Sequence, residues 1–293
     1  MKYLTAVIIV LEFLFVVNSK SYCQNSKTYR VLFLGNSVFY YHGGLCPTFE
    51  GFCTEAGLDY RAFSQWNTPT NTLGVEFLDY GRIPLSLPEV AADNKIHDLI
   101  RSGNFDFVIL EGRRSGYLLP NQVELPDNRG EPIPYERNIE ALSSLHRTIV
   151  QSGAQTVLYM HPGLSSTADI KLPLAQIYQR LHSDLELMEI DSKSHKVILV
   201  PALLLWIDAS RRYGMEGWFA DNGHGNALAR YSSACMLYTY LTGKDPRQNE
   251  FNKLTELTRD WEIIPEKTDI DAEPGDEKWI KDQVWLYYST RPR

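Results

Sequence analysis

The sequence predicts an α/β fold, a three-layer α/β/α sandwich with about five parallel strands in its central sheet. Short apolar runs recur along the chain, and glycine or polar residues end most of them. Segments with helical periodicity separate these runs, so that strands and helices alternate. Helical connections are what parallel strands require, because such strands cannot be joined by a tight hairpin.

The predicted strands are apolar along most of their length, as expected for strands that helices cover on both faces. They comprise residues 30–34, 60–63, 105–110, 156–160 and 196–200. The predicted helices comprise residues 46–57, 87–101, 135–152, 174–190, 226–241 and 277–288. The third helix has the clearest pattern, since Ile139, Leu142, Leu145 and Ile149 share one face and Gly153 follows as its cap.

The first 23 residues predict a signal peptide. Lys2 precedes an apolar run over residues 4–17, which is too short to span a membrane and is typical of a signal-peptide core. Lipid anchoring through Cys23 is disfavoured, because Lys20 and Tyr22 stand where the acylation signal has an apolar and a small residue. We therefore expect an exported protein, periplasmic or extracellular, with no spanning segment after cleavage.

The rest of the chain divides into two predicted parts. Residues 24–243 form the α/β domain, and residues 244–293 form a C-terminal extension. The extension is polar as far as residue 276, and the helix predicted after it either docks on the domain or packs as an ordinary helix of the fold.

Composition narrows the range of partners. The 293 residues are 44% hydrophobic and 22% charged, which are ordinary values for a globular protein and exclude disorder as the main state. The formal net charge is −7, with 29 Lys and Arg against 36 Asp and Glu, and this balance argues against nucleic acid or an anionic membrane as the main partner.

The cysteines indicate neither a disulfide nor a metal site. Cys46 and Cys53 fall in one predicted helix, where seven residues separate them by about 10 Å, too far for a disulfide. With Cys235 they are expected to be buried apolar residues. No Cys/His spacing matches a zinc site, so the sequence predicts no metal and no cofactor.

Ligands in such sheets bind beyond the carboxyl ends of the strands. The segments that follow the first four strands are Gly35-Asn36-Ser37, Ser64-Gln65-Trp66-Asn67, Glu111-Gly112-Arg113-Arg114 and His161-Pro162-Gly163. Residues 115–134 also leave this edge and are rich in Pro, Asn, Gly and Glu, so they are expected to form a lid or a rim.

Two motifs suggest nucleophilic catalysis. Ser37 follows the first strand on a tight Gly-Asn-Ser turn, which would present its hydroxyl at the sheet edge. Asp221 and His224 share a loop directly before the helix predicted at 226–241. A serine needs a base to become a nucleophile, and an imidazole needs a carboxylate to fix its tautomer. The fold predicts that both motifs lie at the same sheet edge.

These motifs resemble those of the SGNH (GDSL-type) hydrolases. Leu34-Gly35-Asn36-Ser37 is similar to the first block of a bacterial branch of the family, and residues 220–226 followed by Ala229-Arg230-Tyr231 are similar to the last block. The resemblance covers about residues 30–243. It implies a flavodoxin-like sandwich and an esterase, with Ser37 as nucleophile, His224 as general base and Asp221 as the residue that orients it.

The sequence departs from the family at the oxyanion hole. The family usually adds a Gly N–H after strand two and an Asn side chain, or in this branch often a Gln, after strand three. Here Glu111 follows strand three, and an ionised carboxylate cannot donate a hydrogen bond. Either Glu111 has another role, such as pairing with Arg113, or Asn67 or Arg113 supplies the missing donor. A structural ion pair between Glu111 and Arg114 is the alternative interpretation. We favour Asn67 as donor and Arg113 as a clamp for an anionic substrate group.

Several other residues have two interpretations. His161 either lines the site or is structural, and His42 is a rival base close to Ser37 in sequence. Trp66, Trp206 and Trp218 flank the motif loops, where each either stacks on a sugar ring or belongs to the core.

The sequence therefore predicts a secreted or periplasmic serine esterase that removes acyl groups, most simply acetyl groups, from carbohydrate that is in some cases anionic. One alternative is a carbohydrate-binding protein on a catalytically inactive scaffold, motivated by the missing oxyanion donor. Another is a hydrolase of the same fold that acts on a thioester, phosphate ester or sulfate ester.

Overall fold

The structure is a computed structural model of the chain. It describes residues 27–35, 39, 45–64, 76–77, 87–111, 135–160, 171–214, 217–219, 224–252, 254–257, 263–267 and 275–291. The predicted signal peptide lies outside these residues, as does the lid or rim predicted at 115–134. No helix within the described segments is long and apolar enough to cross a membrane.

Within the described residues, six parallel strands form the central sheet: β1 (Tyr29–Leu34), β2 (Tyr60–Ser64), β3 (Glu76–Phe77), β4 (Phe107–Glu111), β5 (Gln155–Tyr159) and β8 (Ile198–Val200). Their order across the sheet is β3-β2-β1-β4-β5-β8. Five of them are the predicted strands, in the flavodoxin-like order, so the predicted fold class is confirmed. The sixth strand, β3, has only two residues, too few to produce a sequence pattern.

Two small antiparallel pairs lie outside the central sheet: β6 (Glu189–Ile190) with β7 (Lys193–Ser194), and β9 (Leu254–Leu257) with β10 (Ile263–Lys267). Strand β6 falls at the end of the helix predicted at 174–190, so that prediction was wrong over its last residues.

The helices are α1 (Leu45–Glu55), α2 (Leu87–Ala92), α3 (Asn94–Ser102), α4 (Tyr135–Gln151), α5 (Lys171–Glu186), α6 (Ala202–Tyr213), α7 (Ala227–Thr242) and α8 (Asp276–Thr290). The single helix predicted at 87–101 was wrong. The chain breaks at Asp93, whose extended backbone and carboxylate cap α3 by accepting a hydrogen bond from the Lys95 N–H. Helix α6 was not predicted, because its apolar first turns continue the apolar pattern of β8.

Two cores lie on opposite faces of the sheet. One contains buried side chains of α1, α6, α7 and α8, and the other contains those of α2 to α5. Alternate residues of each strand enter alternate cores: Val31 and Phe33 point to the first, and Leu32 and Leu34 point to the second. These cores give the three layers of the sandwich. Cys46, Cys53 and Cys235 are buried and free.

The C-terminal helix α8 packs into the first core. Ile280 and Val284 are fully buried there. Its flanks are tied by polar contacts, since the Tyr213 hydroxyl donates to Asp276 at 2.8 Å and the Lys281 ammonium donates to the Asn249 carbonyl and contacts Glu277. The helix is therefore a packed part of the fold on this face of the sheet.

Candidate active site

The strand order places a crevice between β1 and β4. From β1 the chain adds β2 and β3 on one side and then crosses to β4 on the other, so the order reverses between β1 and β4. In open parallel sheets, the crevice outside the carboxyl ends of the strands at such a reversal is where ligands bind. Gly35 follows β1 at this edge, and Glu111 is the last residue of β4.

Glu111 lies directly against Gly35. A Cβ atom on Gly35 would lie 2.5 Å from Glu111 Oε2 and 2.6 Å from the Phe39 ring, closer than real Cβ atoms approach other atoms. Glycine is therefore required here for close packing, and the backbone of the predicted nucleophile turn begins in contact with a carboxylate. The Glu111 side chain is 3% exposed.

Tyr159 is the neighbour of Glu111 on the adjacent strand. The two residues are paired in the register of β4 and β5, and both face the first core. Burial raises the pKa of the Tyr159 hydroxyl well above its usual value, the adjacent Ser233 hydroxyl lowers that pKa, and the Glu111 charge raises it. The Tyr159 hydroxyl is near Ser233 but makes no hydrogen bond within the described residues.

Phe39 is a buried residue two positions after the predicted nucleophile. Its ring packs edge-on against Tyr159 and against Phe33, with ring centroids 5.3 Å apart in each pair. Phe39 is 2% exposed. Gly35 and Phe39 flank Ser37 in the sequence. Gly35 therefore contacts Glu111 on one side, and Phe39 contacts Tyr159 on the other.

His224 lies on a loop with a closed neck. Phe219 and Gly225 form an antiparallel bridge, and the Asn226 N–H donates to the Trp218 carbonyl at 3.1 Å. The Asn226 side chain donates to the Gly217 carbonyl at 2.8 Å and accepts a hydrogen bond from the Ala229 N–H, which caps α7. His224 is partly buried beside this neck.

The chain next to His224 packs on helix α6, which begins just after the carboxyl end of β8. Helix α6 begins two residues after β8 ends, and Trp206 lies in its second turn. A Cβ atom on Gly225 would lie 2.3 Å from the Trp206 ring, so the chain next to His224 packs directly on it. The segment next to His224 therefore packs on the first core through Trp206.

Most of the other predicted site residues lie outside the part of the chain that the structure describes. They are Ser37, Asp221, Asn67, Arg113, His161, His42 and Trp66. Trp206 and Trp218 are 2% and 0% exposed and belong to the first core, so of their two interpretations the core role holds. No three His, Cys, Asp or Glu side chains within the described segments lie close enough to hold a metal ion.

Sequence reasoning missed Tyr159 and Ser233. Tyr159 had a weak signal, as a hydroxyl-bearing residue at the end of an otherwise apolar strand. Ser233 had none, because a serine within a helix indicates nothing about the side chain that faces it across the core.

Comparison with known proteins gives the class of fold. No protein-family model matches the chain, and no curated protein matches it in sequence. A DUF4886 family protein from Bacteroides uniformis superposes with a TM-score of 0.57 at 12% identity, over 90% of this chain and 96% of that one. The acetyl xylan esterase AlAXEase superposes with a TM-score of 0.50 at 13% identity, over 72% of this chain and 98% of that one.

A third solved structure shares the same architecture. LAE5, an α/β hydrolase enzyme from the metagenome of Lake Arreo in Spain, has a TM-score of 0.50 and 13% identity, over 74% of this chain and 97% of that one. At these identities the likeness is one of fold. The chain has a fold shared by ester-hydrolysing enzymes, and its own residues must carry any argument about chemistry.

Proposed function

We propose that this protein is a serine esterase in which Ser37 is the nucleophile, His224 the general base and Asp221 the residue that orients His224. The observation that carries the proposal is the position of two chain segments. Gly35 leaves β1 at the β1/β4 crevice, and the neck of the His224 loop packs on the same core at the same edge of the sheet.

The sequence connects these segments to the proposed triad. Ser37 stands two residues from Gly35 and two from Phe39 in the sequence. Asp221 lies between the two bridged neck residues Phe219 and Gly225. We infer that both motifs lie at this edge of the sheet.

The proposed reaction has two steps. The Ser37 hydroxyl attacks the ester carbonyl while His224 takes its proton, and the collapsing tetrahedral intermediate expels the alcohol, to which His224 returns the proton. Water activated by His224 then attacks the acyl-serine and releases the acid and free Ser37. Asp221 stabilises the imidazolium in both steps, and backbone N–H groups of the Ser37 turn, with Asn67 as a second donor, stabilise the oxyanion.

The proposed substrate is acylated carbohydrate, with acetyl as the simplest acyl group. Support comes from the predicted export signal and from the fold shared with an enzyme described as an acetyl xylan esterase. Arg113 is proposed to bind an anionic group on such a substrate, because its planar guanidinium matches a carboxylate or sulfate.

The test combines covalent labelling with turnover. Wild-type protein is expected to react with a fluorophosphonate probe and to hydrolyse p-nitrophenyl acetate, and Ser37→Ala should lose both. His224→Ala should lose nearly all turnover, and Asp221→Asn should lose somewhat less. Ser102→Ala and His195→Ala are matched controls remote from this edge and should retain activity.

Two outcomes would contradict the proposal. Near-full turnover in His224→Ala would remove His224 as the base and leave His42 as the candidate. Absence of labelling and of turnover in folded wild-type protein, together with binding of acetylated oligosaccharides, would indicate a binding protein on an inactive scaffold.

A further inference from the structure

Four buried side chains form a continuous connection beneath the sheet edge. They are Glu111, Tyr159, Ser233 and Trp206, here called the buried bridge, and each is at most 3% exposed. They come from β4, β5, α7 and α6, so the sequence does not place them together. All of them lie on the sheet face that carries the first core.

One end of the buried bridge holds the segment around Ser37. Glu111 contacts the backbone at Gly35, and Tyr159 packs against Phe39. These contacts flank Ser37 on both sides in the chain. A shift of either side chain would therefore move an anchor of the proposed nucleophile.

The middle of the buried bridge is polar. The Trp206 indole N–H donates to the Ser233 hydroxyl at 3.1 Å, and the Ser233 hydroxyl is near enough to Tyr159 to lower its pKa. Loss of the Ser233 hydroxyl would leave the Trp206 N–H buried without this acceptor, which has a substantial desolvation cost.

The other end holds the His224 loop. The Trp206 ring packs against Gly225 and, edge-on with centroids 5.2 Å apart, against Phe219. Phe219 and Gly225 are the two residues that close the loop neck. The Trp206 ring therefore contacts both residues that close the neck of the loop that carries His224.

We propose that Glu111, Tyr159, Ser233 and Trp206 are positioning residues that fix the separation between Ser37 and His224. This inference rests on the proposed function. The physical reason is that closely packed interiors transmit displacements instead of absorbing them. A displacement of about 1 Å between reacting groups lowers turnover by about a hundredfold.

A pair of adjacent serines in α7 provides the test. Ser233 accepts the Trp206 hydrogen bond, whereas Ser232 is equally buried but donates to the Ala229 carbonyl of its own helix at 2.6 Å. Ser233→Ala should lower kcat on p-nitrophenyl acetate by at least about tenfold with little change in KM. Ser232→Ala, which removes the same atom from the same helix, should keep kcat within about twofold of wild type.

Thermal unfolding separates positioning from general destabilisation. Both serine variants should remain folded, and kcat should fall only for Ser233→Ala. Trp206→Phe is the second variant in case Ser233→Ala fails to fold, and it should lower kcat at nearly constant KM because it removes the same hydrogen bond. In the double variant Ser233→Ala/Trp206→Phe, the fold-losses in kcat should be clearly less than multiplicative, because both changes break one contact.

The outcomes distinguish this inference from the proposed function. If Ser37→Ala abolishes labelling and turnover while Ser233→Ala and Ser232→Ala have equal kcat, the buried bridge does not position the site and the esterase proposal stands. If Ser37→Ala retains turnover, the proposed function itself is wrong. A loss that appears wholly in KM for Ser233→Ala would also overturn the positioning role.

Discussion

The Glu111 carboxylate and the Gly35 backbone are in direct contact at the crevice between β1 and β4, with Glu111 Oε2 only 2.5 Å from where a Gly35 Cβ would lie. Glu111 is the last residue of β4 and follows the third predicted strand, where the resembled family has an amide donor. Its carboxylate is turned into the core, towards the start of the Ser37 turn. This contact explains why glycine precedes Asn36-Ser37 without assigning it a conformational role.

Gly35→Ala should therefore disturb both packing and catalysis. The new methyl group would overlap Glu111 and Phe39, at a cost of about 1–3 kcal/mol in the free energy of unfolding, and kcat should fall because the Ser37 turn moves. Denaturant unfolding and turnover of p-nitrophenyl acetate measure the two effects. Gly153→Ala is the control: its positive φ strains an added side chain, but open space surrounds it, so only stability should change. Unchanged kcat in Gly35→Ala would argue against the assigned turn.

Substitutions of Asn67 and Arg113 should have different kinetic effects. Asn67→Ala should lower kcat on every ester, including a neutral acetyl ester, by about a hundredfold, since one oxyanion donor is worth about 3 kcal/mol. Arg113→Ala should mainly raise KM, and only for an anionic substrate. Steady-state kinetics on a neutral and an anionic acetyl ester decide between the roles. A large fall in kcat for Arg113→Ala alone would reverse the two assignments.

Glu50→Gln should change the pH dependence of stability. Burial raises the pKa of Glu50 from 4.5 to about 7, against the lowering effect of the Ala62 N–H, which donates to its carboxylate at 2.6 Å. The folded state thus holds a proton that the unfolded state has lost, so this contribution to stability is present below pH 4.5 and disappears as the pH rises to about 7. Relative to wild type, Glu50→Gln should gain stability between pH 5 and pH 8.

Urea unfolding at both pH values measures this gain. Burial lowers the pKa of His146 to about 4, so His146 makes the free energy of unfolding rise with pH between 4 and 6.5, opposite to Glu50. Both proteins share this effect of His146, so the difference between variant and wild type isolates the effect of Glu50. Glu55→Gln removes an exposed carboxylate from the same helix and serves as the control. An equal pH-dependent gain in Glu55→Gln would refute the role of burial.

The C-terminal helix should be required for stability. Ile280 is fully buried in the first core, and Ile280→Ala should lower the free energy of unfolding by about 2–5 kcal/mol. Leu286 on the same helix is 52% exposed, and Leu286→Ala should change it by no more than about 0.5 kcal/mol. Equal midpoints of thermal unfolding for the two variants would show that α8 does not belong to the cooperative core.

Local pattern accounts for much of this protein. Apolar runs and helical periodicity determined the five main strands and most helices, and the parallel arrangement determined that Gly35 and Glu111 end strands at one edge. Strands and helices can be predicted in this way because their hydrophobic periodicity and their terminating residues are local features of the sequence. The break at Asp93 and the start of α6 were missed, because a capping carboxylate and a continuous apolar run are ambiguous in sequence.

Tertiary structure decided which side chains meet. Tyr159 stands beside Glu111 because of the register between β4 and β5, and Ser233 receives the Trp206 N–H because α6 and α7 pack on one face. The same packing placed Trp206 and Trp218 in the core instead of on a substrate surface. Contacts between residues dozens of positions apart depend on strand register and helix packing, which no local sequence pattern specifies.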